Sequence, residues 1–94
     1  MTDLRLIPLG YEQITGLSST KKLTVPDGAN CAVLMAEAKD LRWRDDGTAP
    51  TALVGMPLST TAQPFFYTGA LANIEFIEQA ASGILNVSYY KIAG

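Results

Sequence analysis

Along most of the chain, apolar and polar residues alternate over short distances, and turn-forming residues interrupt the pattern again and again. These breaks fall at Pro8, Gly10, Gly16, Pro26-Asp27-Gly28, Asp45-Asp46-Gly47, Pro50, Gly55, Pro57, Pro64, Gly69 and Gly83. Helices of ordinary length have little room between them. The intervening runs are rich in Val, Ile, Leu, Thr, Tyr and Phe, the pattern of an all-β sandwich or barrel rather than of alternating strands and helices. About eight short strands are expected. They predict an all-β chain folded as one antiparallel β-sandwich domain over residues 1–94, of a type that includes the jelly roll.

The clearest strand runs from Asn30 to Ala38, where Cys31, Val33, Met35 and Glu37 face one way and Ala32, Leu34 and Ala36 the other. Both faces are apolar, which places it centrally. Ala29 to Lys39 is also rich in helix formers, but the Pro26-Asp27-Gly28 turn before it and the alternating Leu41-Arg42-Trp43-Arg44 after it favour a meander of strands. Asp45-Asp46-Gly47 is the strongest hairpin signal, with Thr51 to Val54 as the expected returning strand. Beyond Pro57, Leu58-Ser59-Thr60-Thr61-Ala62-Gln63 reads as an exposed loop, a candidate contact loop leading into a Phe65-Phe66-Tyr67 strand. Asn73 to Gln79 leaves its orientation open, with a short helical turn as the competing assignment. From Ile84 to Ile92, Leu85, Val87 and Tyr89 share one face and Asn86, Ser88 and Tyr90 the other, as in a half-buried strand. Leu4, Leu6 and Ile7 are expected to pair in the sheet, with Pro8 at an edge or strand end because it has no amide donor.

Composition narrows the function more than it identifies it. With 94 residues, 48% hydrophobic, and a net charge of -2, the chain has material for one core. So small a domain buries only about 60 to 65% of its unfolded surface, so a partner or a second copy adds useful stability. No apolar run approaches the roughly 18 residues of a spanning helix. Met1-Thr2-Asp3-Leu4-Arg5 lacks the basic-then-apolar pattern of a signal peptide, so synthesis and release in a cytoplasm are expected. The single cysteine, Cys31, excludes an intramolecular disulfide and reads as a small buried hydrophobe.

The chain contains no histidine, which removes the commonest general base, the usual nucleophilic triads and most zinc sites. The expected protein is not an enzyme and needs no cofactor or metal. Asp45 and Asp46 are adjacent, so strand geometry points them apart, and one dyad supplies too few oxygens for calcium. Acids outnumber bases nine to seven, and Lys21-Lys22 is too small a cluster to neutralise a row of phosphates, so neither nucleic acid nor a membrane is an expected partner. The scattered glycines form no phosphate-cradling loop.

Candidate contact residues are Arg42, Trp43, Arg44, Asp45 and Asp46, where two guanidiniums and two carboxylates crowd one turn, together with Tyr67 and Tyr90, whose phenols suit an interface. Beside this stands a plainer assignment. Alternation sends Arg42 and Arg44 to one face and Trp43 to the other, giving a core tryptophan under a solvated arginine pair bonded to the hairpin acids. Phe65-Phe66, Tyr67 and Tyr89-Tyr90 could likewise stack on sugar rings or pack in the core.

The segments Val25-Pro26-Asp27-Gly28-Ala29-Asn30, Leu41-Arg42-Trp43-Arg44-Asp45-Asp46-Gly47-Thr48-Ala49-Pro50-Thr51 and Val54-Gly55-Met56-Pro57-Leu58 resemble small virion-associated structural proteins of tailed bacteriophages and prophages. The resemblance runs from about Thr24 to Tyr90, through Phe66-Tyr67, Phe76-Ile77 and Asn86-Val87-Ser88-Tyr89-Tyr90, and is distinctive in its middle segment. It implies a protein made in the host bacterial cytoplasm and located in the virion, as a capsid decoration or head-tail accessory module. Its implied partners are further copies of itself and capsid or tail proteins. It brings no catalytic residues. The alternative is a β-sandwich module of a tail or spike that binds a carbohydrate or a receptor, with Trp43 or the tyrosines as platforms.

Overall fold

A computed structural model describes residues 5–93; Leu4, expected in the sheet, lies outside the described residues. The eight strands are β1 (Arg5–Ile14), β2 (Lys21–Lys22), β3 (Cys31–Glu37), β4 (Leu41–Arg44), β5 (Met56–Leu58), β6 (Phe65–Tyr67), β7 (Glu75–Glu78) and β8 (Ile84–Ala93). They form two four-stranded antiparallel sheets, ordered β1-β8-β3-β6 and β2-β7-β4-β5. The pairs 1-8, 2-7, 3-6 and 4-5 are nested, as when one long hairpin of eight strands is rolled over on itself, with 8-3 and 7-4 closing the two sheets. This is the wrap of a jelly roll, a β-sandwich in which sheet edges are few.

Alternation decides which residues enter the core. On β3, Ala32, Leu34 and Ala36 point inward and meet Tyr89, Val87 and Leu85 of β8 in register. Tyr67 of β6 faces Ala32 from the other side. The second sheet contributes Leu41, Leu58 and Phe76, and Leu17, Leu23, Leu71 and Ile74 fill in from the connections. Every buried side chain among the described residues is apolar or aromatic. Cys31 is among them, and burial raises its thiol pKa.

Cys31 to Glu37 is strand, as the meander of strands requires, and β3 is interior to its sheet, but its second apolar face is not covered by another layer: Met35 is exposed. Thr51 to Val54 is not the returning strand; Arg42 and Trp43 pair instead with Pro57 and Met56, so the Asp-Gly turn opens into a longer loop from Asp45 to Gly55. Gly47 has the positive φ of 88° that the turn signal requires. Asn73 to Gln79 resolves into β7, with Ile74 and Phe76 buried. Leu58 belongs to β5 and is buried, so the exposed loop begins after it.

The edges share a device. Pro8 lies in β1 at a bulge between Pro8 and Gly10, β2 is two lysines, β5 contains Pro57, and Pro64 directly precedes β6. Proline removes a ladder donor and lysine keeps an edge solvated, so all four edges are poor templates for another strand.

Candidate functional site

Most of the expected contact residues meet at one end of the sandwich, where edge β5 of one sheet approaches edge β6 of the other. On β4, Trp43 faces inward and Arg42 and Arg44 outward, as alternation requires. The indole stacks on Phe65 with ring centroids 5.5 Å apart and planes inclined by 24°, and meets Tyr67 edge-on at 6.0 Å. Trp43 is only half-buried. It lines a cleft of about 230 Å³ and another of about 320 Å³, and Met56 lines both.

The charged groups of the motif are tied within the chain. Arg42 donates from Nε to the Ala52 carbonyl at 3.2 Å and from Nη1 to the Gly55 carbonyl at 2.8 Å, which pins the far side of the loop to β4. Arg44 grips both carboxylate oxygens of Asp46, at 3.0 and 2.5 Å. That contact raises the guanidinium pKa and holds the Asp46 carboxyl below its ordinary range. Asp45 turns the other way and accepts from the Tyr67 hydroxyl at 2.7 Å, while that hydroxyl accepts from the Ala70 amide at 3.0 Å. Burial, then the neighbouring Asp45 carboxylate, pushes the Tyr67 phenol pKa up. The loop closes on itself as well: the Thr51 hydroxyl accepts from the amides of Leu53 at 3.3 Å and Val54 at 3.0 Å, and Thr51 and Val54 exchange backbone bonds.

Arg42, Trp43, Arg44, Asp45, Asp46 and Tyr67 are thus neighbours, whereas Tyr90 is not. It sits on the outward face of the β1-β8-β3-β6 sheet, opposite Pro8 and Cys31. Register places Leu6, Tyr11, Val33, Met35, Phe66 and Ile92 on that same face. Four of its polar side chains are joined: Asn86 accepts from Tyr11 and Gln13 and donates to Glu37. No family model, curated protein or solved structure matches the chain.

The sequence pattern did not single out Leu53, Val54 and Met56, which are exposed beside Trp43, nor Met35 and Phe66 on the sheet face. The signal available was the apolar Ala52-Leu53-Val54 run between Pro50 and Gly55, which reads alike as a strand or as an exposed loop. Among the described residues no group of three or more His, Cys, Asp or Glu side chains could hold a metal ion. There is also no helix long and apolar enough to cross a membrane among them.

Proposed function

We propose that the chain is a non-enzymatic structural protein that builds a larger assembly through repeated surface contacts, in the tailed-phage virion that the sequence resemblance implies. The observation that carries this reading is the distribution of exposed apolar side chains. Seven of them fall in two places: Leu6, Tyr11, Met35 and Phe66 on the outward face of one sheet, and Leu53, Val54 and Met56 on the loop end. Contiguous apolar patches on a small domain mark contact surfaces. Glu37 is the one charged side chain at the outward positions of the β1-β8-β3-β6 ladder among the described residues, and it is bonded to Asn86. With the edges blocked, association goes through faces and loop tips, and symmetry multiplies weak contacts into a stable attachment.

Mass spectrometry of purified tailed-phage particles whose genome encodes the chain tests the setting. Its peptides are expected in stoichiometric proportion to the other shell or tail proteins. Their absence from intact particles, with the protein present in the infected cells, would overturn the proposal.

A further inference from the structure

Two steps in the chain join an aspartate to a glycine, Asp27-Gly28 and Asp46-Gly47. Such a step can rearrange without any catalyst. The glycine amide nitrogen attacks the aspartate side-chain carboxyl, a C–N bond closes a five-membered succinimide ring, and one water leaves. Water then reopens the ring at either carbonyl. Opening at the original main-chain carbonyl leaves the backbone running through the side-chain carboxyl, as isoaspartate. The water lost on closure is regained on opening, and no oxidant, reductant or further reactant takes part.

The two glycines are matched as nucleophiles. Both are exposed, both have positive φ, 85° at Gly28 and 88° at Gly47, and neither has an atom within 4 Å of the place a Cβ would occupy. With no side chain, each leaves its amide nitrogen open to approach. The aspartates differ. Arg44 grips both carboxylate oxygens of Asp46, and the Thr48 amide donates to Oδ1 at 3.3 Å. Ring closure needs the carboxyl to turn towards Gly47 and to be protonated, so that its oxygen leaves as water. The guanidinium opposes both, holding the group in place and below its ordinary pKa range. Asp40 and Asp45 each accept a hydrogen bond, from the Thr60 amide at 2.9 Å and the Tyr67 hydroxyl at 2.7 Å, and Arg44–Asp46 is the one ion pair among the described residues. The exposed Asp27 carboxylate joins none of these contacts.

We propose that Asp27-Gly28 is a site of spontaneous backbone isomerisation to isoaspartate, and that Arg44 protects Asp46-Gly47 from the same reaction. The inference is independent of the assembly reading. Its site lies where an extra main-chain methylene matters. Asp27 is the second residue of a turn in which the Ala29 amide donates to the Pro26 carbonyl at 3.2 Å, with Gly28 at the third position, where positive φ is needed. Directly after the turn, the Asn30 amide donates to the Tyr90 carbonyl at 3.0 Å, and the Asn30 side-chain oxygen accepts from the Ile92 amide at 2.7 Å. These bonds seat the start of β3 against the end of β8, and isomerisation lengthens the chain just before that joint.

The experiment is an incubation of the purified protein in mildly acidic buffer below its Tm, sampled over time. Trypsin separates the two steps, since cleavage after Lys22, Lys39, Arg44 and Lys91 puts Asp27 in residues 23–39 and Asp46 in residues 45–91. Electron-transfer fragmentation of each peptide tells isoaspartate from aspartate. Isoaspartate is expected to accumulate several-fold faster at Asp27 than at Asp46. Arg44→Ala should raise the rate at Asp46 several-fold and leave that at Asp27 unchanged. Asp27→Glu, whose longer side chain disfavours the five-membered ring, should remove the first signal only. In urea that unfolds the chain, the two rates should converge. Equal rates in the folded protein, a faster rate at Asp46, or no isoaspartate at Asp27 overturns the proposal. So does an Arg44→Ala variant that keeps the far-ultraviolet spectrum of the fold and the wild-type rate at Asp46. A difference that persists undiminished in urea also overturns it, because it then belongs to the local sequence and not to the contacts of Arg44.

Discussion

Arg42 and Arg44 are two residues apart on one strand face, yet they have different work to do. Arg42 is half-buried and bonds two backbone carbonyls across the loop, whereas Arg44 grips an exposed carboxylate. Arg42→Ala should therefore lower stability by about 1 to 3 kcal/mol, because it leaves carbonyls unpaired and frees the loop. Arg44→Ala should leave the urea midpoint almost unchanged, since solvent competes for an exposed pair. Equal effects in urea denaturation would contradict this division. Tyr89 makes a second test. Its hydroxyl donates to Glu12, and burial, then that carboxylate, raises its pKa above the ordinary phenol range. A folded-state pKa raised above the unfolded value of about 10 means the fold favours the neutral phenol. The contribution of Tyr89 to stability is thus complete below about pH 10 and is lost as pH rises from there towards the raised folded-state pKa. Tyr89→Phe should flatten the fall of Tm between about pH 10 and 11.5 while lowering Tm at neutral pH. At this scale the sequence was partly legible. The Arg44–Asp46 pair is local, but Tyr67 and Asp45 are 22 positions apart and Tyr89 and Glu12 are 77 apart, so only the fold could join them.

At the scale of elements, period-two alternation exposed β3, β4 and β8 because each packs one apolar face against the core. The faces of β3 came out in the expected sets, Ala32, Leu34 and Ala36 inward. Thr51 to Val54 misled because an apolar run reads alike whether it enters a sheet or caps a loop. Here Arg42 and Thr51 satisfy the loop's backbone groups, so it needs no partner strand. Gly55 shows how tightly that loop returns to β5. Its φ is 144°, and a Cβ there would lie 3.1 Å from Pro50 Cβ and 3.2 Å from both Arg42 Cβ and the Trp43 carbonyl oxygen. Gly55→Ala should therefore destabilise by about 1 to 3 kcal/mol. Gly47→Ala, with positive φ but open space around it, should cost less. Thermal denaturation of the two variants checks the order.

At the scale of the whole molecule, strand order was not legible, because β1 and β8 lie at opposite ends of the chain and their pairing is fixed by the roll, not by any local signal. The β1-β8 pair also continues past β3, whose last ladder partner on β8 is Tyr90, so Arg5 to Ile7 and Lys91 to Ala93 form a two-stranded ribbon beyond the sandwich. The radius of gyration, 13.1 Å, accordingly exceeds the roughly 12 Å of a compact chain of this length. Apolar side chains exposed on that ribbon, on the adjoining sheet face and on the loop end are the surfaces that the proposed assembly would cover. Light scattering after size exclusion puts this to the test without any assumed partner. Self-association predicts a mass that is a multiple of the 10.1 kDa chain, falling towards one copy when Val33→Glu and Leu53→Asp are combined. A wild-type protein that elutes at 10.1 kDa at every concentration would contradict it.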